Sequence, residues 1–129
     1  MTGVDTNIVV RLLTGDDPSQ SAKARALFKK ETVLVPETVI LETEWVLRHA
    51  YGFESAAIHT AFSKLFGLPN VVLHNPQRIM TALDWYGGGM DFADALHLAA
   101  SQDCRVFYSF DRKLAAGAIN KSICRVKEP

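Results

Sequence analysis

The segment from Met90 to Gln102 reads M-D-F-A-D-A-L-H-L-A-A-S-Q and is apolar enough for a buried helix, yet it holds Asp91 and Asp94 three residues apart on one helix face. A buried carboxylate is costly unless it is paired, hydrogen-bonded or bound to a cation. Two readings suit this pair. As capping groups just after Gly87-Gly88-Gly89, Asp91 would be an N-cap and Asp94 its partner three residues on. As reactive groups, they would bind a metal or move protons. Both readings stand for the segment alone, so the other acids decide. Asp5 and Asp111 follow short apolar runs and could also be caps. Glu42 could not: it lies too deep in its helix, with no basic residue three or four positions away.

The elements that must position these groups follow from pattern. Gly3-Val4-Asp5 reads as the end of a short strand, with Thr6 or Asn7 capping a helix over Ile8 to Leu13. Gly15-Asp16-Asp17-Pro18 is a turn, in which Asp16 is expected to be inert. Pro18 opens a helix to about Lys30, with Ala22, Ala26 and Leu27 as its apolar stripe. Val33-Leu34-Val35 is a buried parallel-type strand. Pro36 breaks it, and a helix from Glu37 to about Ala50 turns Val39, Trp45, Val46 and Glu42 inward, with Glu44 solvated. A helix with Ile58, Ala61, Phe62 and Leu65 on one stripe precedes a strand at Val71-Val72-Leu73. Pro76 leads a helix that the triple glycine ends, and those glycines read as a flexible connection. After the Met90 helix come a strand at Arg105–Tyr108, a short helix from Arg112 to Ala116, and an edge strand within Ser122–Val126.

Strands alternating with one or two helices predict one α/β domain over residues 1–129. Its architecture is a three-layer α/β/α sandwich around a central parallel sheet. In such sheets ligands bind beyond the carboxyl ends of the strands. Asp5 and Asp111 end strands there, and the crossover helices start there. Asp94 lies about one turn into its helix and Glu42 between one and two turns into its own, so all four acids are expected at one edge.

Clustered carboxylates repel by roughly 3 kcal/mol per pair at about 5 Å and an effective dielectric near 20. Either some hold protons, as in a two-carboxylate acid/base site, or cations neutralise them. All-oxygen ligation suits Mg²⁺ or Mn²⁺ rather than zinc. His49, His59, His74 and His97 show no metal-ligand spacing. Metal ions held by acids can activate water and align a phosphodiester. There is no GxSxG elbow, no GxxxxGK[ST] loop and no GxGxxG.

Composition is that of an ordinary soluble globular protein, 48% hydrophobic and 22% charged among 129 residues. No signal peptide or membrane span is visible, and Cys104 and Cys124 lack CxxC spacing, so reduced thiols in the cytoplasm are expected. A formal net charge of zero does not exclude RNA. Two divalent cations cancelling four acids would leave the remaining surface about four charges positive.

With Asp5-Thr6-Asn7, L-E-T-E-W-V-L-R around Glu42, D-F-A-D-A-L-H-L-A-A from Asp91 and Ser109-Phe110-Asp111 in order, the chain resembles PIN-domain ribonucleases. It is most similar to the VapC toxins of toxin–antitoxin pairs. The resemblance implies a Mg²⁺- or Mn²⁺-dependent endoribonuclease with Asp5, Glu42, Asp94 and Asp111 as its acidic quartet and metal ligands. It implies supporting roles for Thr6, Asp91 and Ser109, the serine standing where threonine is common. Thr2-Gly3-Val4 is less apolar than the first strand of such proteins, so a short strand is expected.

The resemblance also implies a co-expressed antitoxin. From Glu37 to Leu68 large apolar residues, Trp45, Leu47, Phe53, Ile58, Phe62 and Leu68 among them, occupy more than one stripe per helix. An exposed apolar face is therefore expected, serving a homodimer, the antitoxin or both. The alternative from another class is a non-catalytic RNA- or protein-binding module on the same fold. A third is a phosphatase-like or DNA-directed enzyme. A phosphatase forming an aspartyl-phosphate would want Asp-x-Asp where this chain has Asp5-Thr6-Asn7.

Overall fold

The computed structural model describes residues 1–129 and divides into two compact units, Met1–Pro76 and Gln77–Pro129. In the first unit β1 (Thr2–Gly3), β2 (Val33–Leu34) and β3 (Val71–Val72) form a parallel sheet in the order β1-β2-β3. Thr2 lies opposite Val33, which lies opposite Val71. Each strand is only two residues long, as the Thr2-Gly3-Val4 run suggested for the first. Backbone bonds from Val4 N–H to Leu34 O at 3.3 Å and from Val35 N–H to Val72 O at 3.1 Å carry the pairing a residue further.

Four helices belong to this unit: α1 (Thr6–Thr14), α2 (Pro18–Lys30), α3 (Glu37–His49) and α4 (Ser55–Phe66). The N-cap of α1 is Asp5, not Thr6 or Asn7; its Oδ1 accepts the Ile8 N–H at 3.2 Å. Gly15 ends the helix in the left-handed region at φ 66°, where a side chain would be strained. Asp17 caps α2 and Pro18 fills its first position, where a missing N–H costs nothing.

Two helix faces differ from expectation. In α2 the buried residues are Ser21, Ala24 and Phe28, while Ala22 and Ala26 are exposed. In α3 they are Ile40, Thr43, Glu44 and Leu47; Trp45 is 56% exposed and Glu42 faces solvent. The spacing 40, 43, 44, 47 is a proper helical stripe, but two of its members are polar and disguise it in sequence. Glu44, expected to be solvated, is 1% exposed. Arg48, one turn on, donates to it from Nε at 2.8 Å and Nη2 at 3.2 Å, which offsets the cost of burying its charge. Ile58, Phe62 and Leu65 are the buried stripe of α4, as expected.

The second unit holds nearly all of α5 (Pro76–Gly87), then α6 (Phe92–Ala99), β4 (Val106–Tyr108), α7 (Arg112–Ala118) and β5 (Arg125–Lys127). The last two strands pair in parallel, with Phe107 opposite Val126. The apolar Met90 segment is indeed helical, though only over its middle, and Phe92, Ala95, Leu96, Leu98 and Ala99 are buried. The triple glycine is an ordered helix end rather than a flexible connection. Gly88 N–H reaches Asp84 O at 3.2 Å, Gly89 N–H reaches Tyr86 O at 3.0 Å, and Met90 N–H reaches Trp85 O at 3.1 Å. Gly89, at φ 107°, makes the turn that lets α6 start three residues later. Cys104 and Cys124 are both free thiols, one exposed and one buried.

Candidate active site

In the first unit the relevant groups meet at the start of α1. Asp5 uses Oδ1 to cap the helix, and its Oδ2 accepts no hydrogen bond. Thr6, the first helical residue, donates from Oγ1 to Oε1 of Glu42 on α3. A residue 36 positions away in sequence is thus fixed in rotamer by a hydroxyl beside Asp5. The glutamate that capping could not explain has no basic partner, and Thr6 is its hydrogen-bond donor.

In the second unit three carboxylates interact. Asp91 is the N-cap of α6, its Oδ2 accepting the Asp94 N–H at 3.1 Å. Asp111 caps α7, with Oδ1 accepting from Lys113 N–H at 2.9 Å and Leu114 N–H at 3.1 Å. Ser109 Oγ accepts the Asp111 N–H at 3.0 Å and so shapes the turn from β4 into that cap. Asp94, half-buried, has its carboxyl pushed above the usual aspartate value by burial first, and then by the charges of Asp91 and Asp111, with His97 opposing. The capping reading of this segment holds for one of its two aspartates. Asp91 caps; Asp94 does not.

Each predicted site residue has a place: Asp5, Thr6 and Glu42 in the first unit, and Asp91, Asp94, Ser109 and Asp111 in the second. The three acids of the second unit repel one another without closing to the spacing of a metal-ligand group. As donors they suit a hard divalent cation: all oxygen, no thiol or imidazole ligand, and at Asp94 a charge that burial leaves uncompensated.

Asp91 and Asp94 line a cleft of about 370 Å³ together with Lys113 and Lys121. Sequence reasoning did not single out either lysine. Single lysines scattered over a chain give no signal, and only the return of α7 toward the triple glycine places them here.

A protein-family model for the PIN domain matches residues 4–120. The chain belongs to the PIN domain family. PIN domains are typically metal-dependent nucleases that act on RNA, and they usually use divalent cations. The architecture expected for this PIN domain, helices with a parallel sheet in an α/β sandwich, is what family and structure both show. No curated protein matches the chain. No helix is long and apolar enough to cross a membrane.

Proposed function

We propose that this PIN domain is a divalent-metal-dependent endoribonuclease, working in the cytoplasm as the toxin of a toxin–antitoxin pair. The observation that carries the nuclease reading is Asp94. Its carboxyl is held among Asp91 and Asp111 with its charge disfavoured, an arrangement that costs stability in isolation and is repaid when a cation binds. The acids proposed for the metal are Asp5, Glu42, Asp94 and Asp111, the quartet that the resemblance implies, in a nuclease domain over residues 1–129. When bound, Mg²⁺ or Mn²⁺ would supply charge neutralisation at the phosphodiester and lower the pKa of water.

The chain's own residues then have defined tasks. The Thr6 hydroxyl holds Glu42 Oε1, which leaves Oε2 to face the cation. The caps at Asp5 and Asp111 fix one oxygen of each carboxylate to a helix start, so the other is presented in a set direction. Asp91 holds the first turn of α6 and thereby the position of Asp94. The purified chain should cut single-stranded RNA or tRNA with Mn²⁺ and not with EDTA. Binding of RNA without cleavage under any divalent cation would favour the non-catalytic module instead, and cleavage of DNA alone would favour the DNA-directed enzyme.

The antitoxin and homodimer readings draw support from exposed apolar residues of the first unit. Trp45, Phe53 and Leu68 are exposed. Phe53 and Leu68 also line a groove of about 490 Å³ with Leu12, Leu13 and Leu65. Such surface marks contact sites. Light scattering of the chain alone, and co-purification with the product of the adjacent upstream gene, test it. A strictly monomeric chain that captures no such partner and does not slow growth would remove the toxin assignment.

A further inference from the structure

The cleft beside Asp91 and Asp94 carries charges of both signs. Its lining holds Asp91 and Asp94 together with Lys113 and Lys121, and Lys121 Nζ lies close to Gly88. Neither lysine forms an ion pair, although acids share the same cleft. Two unneutralised cations facing one cavity are the setting for an anion. Three lining residues, Gly88, Gly89 and Gly117, add no side chain to the cleft. A Cβ on Gly117 would approach Met90 Cε to 3.4 Å, and one on Gly88 would approach Lys121 Nζ to 3.4 Å. Met90, nearly buried, and Leu114 make the floor apolar. A volume of about 370 Å³ is at the small end of ligand pockets, which suits one nucleotide rather than a folded segment.

We propose that this cleft binds the nucleotide next to the scissile phosphate, with its base over Met90 and the glycine backbone and its phosphate at Lys113 and Lys121. The inference rests on the ribonuclease reading and adds to it the residues that grip the strand. Phosphate contacts position a strand without reading its sequence, while the shape of an apolar floor discriminates among bases. The two halves of the cleft therefore make separable contributions.

The test uses the full chain and a fluorescein-labelled, uncleavable 2′-O-methyl single strand, with binding followed by anisotropy as KCl is varied at constant Mg²⁺. Removing one phosphate contact lowers the slope of log K against log salt by about 0.7 for a single strand. Lys113→Ala and Lys121→Ala should each lose about that much and the double variant about 1.4. Lys29→Ala, at the exposed end of α2, should lose none. Gly117→Leu, which fills the floor and keeps both lysines, should weaken binding on the order of tenfold with the slope unchanged. In cleavage assays the lysine variants should raise KM and leave kcat within about twofold. Should Gly117→Leu fail to fold, Gly117→Ala and the lysine slopes still decide. Unchanged slopes in the lysine variants, or wild-type affinity in a folded Gly117→Leu protein, overturn the proposal. If that happens while Asp94→Asn still abolishes cleavage, the cleft assignment falls and the nuclease reading stands. A wild-type chain that neither binds nor cuts RNA removes both.

Discussion

Two aspartates in this molecule respond to their surroundings in opposite ways. Asp16 sits in the turn after α1 and accepts from Tyr51 Oη at 2.6 Å, Thr14 Oγ1 at 2.8 Å and Arg11 Nη1 at 3.1 Å. Those bonds, Tyr51's above all, then Thr14's and the Arg11 charge, hold its carboxyl below the usual value. Asp94 has no such donors and is pushed up by burial and by two like charges. The residue expected to be inert is the better satisfied one. Where a carboxylate is fully served by donors, it ties structure together. Where the fold withholds donors and adds other acids, the charge is available to something from outside.

The largest expected effect is at Asp94. Asp94→Asn keeps volume and removes charge, and should lower the cleavage rate on the order of 100-fold or more in saturating Mg²⁺. The same variant should raise the melting temperature of the metal-free protein at neutral pH. A raised aspartate pKa stabilises the fold only below its unfolded value near 3.8, and that contribution is lost as pH rises through the folded value. The gain should therefore disappear when melting is followed below about pH 3.8. A variant that cleaves RNA like wild type would break the contrast at its more important end.

Next comes the pair of threonines. Thr14 is one of several donors to Asp16, but Thr6 is the donor to Glu42. Thr6→Val should cost roughly 10- to 100-fold in kcat, and Thr14→Val should leave kcat unchanged. Equal effects would mean that Glu42 does not depend on the hydroxyl for its orientation.

Smallest are the effects on stability at Asp16. Asp16→Asn should lower the melting temperature at pH 7, the opposite sign to Asp94→Asn. A depressed pKa gives stability above the unfolded value that is lost as pH falls through the folded one, so the two proteins should converge in strong acid. Tyr51→Phe should move the Asp16 carboxyl upward in an NMR titration, since that bond is its main cause. Asp84→Asn, an exposed position on α5, is the reference and should do neither.

Helix starts and strand positions were legible because capping residues, prolines and apolar runs act locally. Asp17-Pro18, Pro36 and Pro76 each mark a boundary that the structure keeps. The inward face of α3 was not legible, since Thr43 and Glu44 are polar and their burial depends on Arg48 and on packing from elsewhere. The acids could be named from their settings after strands and in first turns. Their states could not: whether a carboxylate ends up like Asp16 or like Asp94 is decided by a donor as distant in sequence as Tyr51, or by burial that the whole fold sets. The lysines of the cleft lie beyond sequence reach for the same reason.

Three of these acids, Asp5, Asp91 and Asp111, hold a helix start as well as a charge. Alanine scanning would confound the two, because loss of an N-cap costs about 1 kcal/mol by itself. Asparagine caps as well as aspartate, so it silences the charge and spares the helix. The same arithmetic acts on lineages. A descendant that abandoned the chemistry but kept the fold would drift to asparagine or serine at positions 5, 91 and 111, while position 94, which caps nothing, would be free to become almost any small residue. Such a signature would identify retired members of the family from sequence alone.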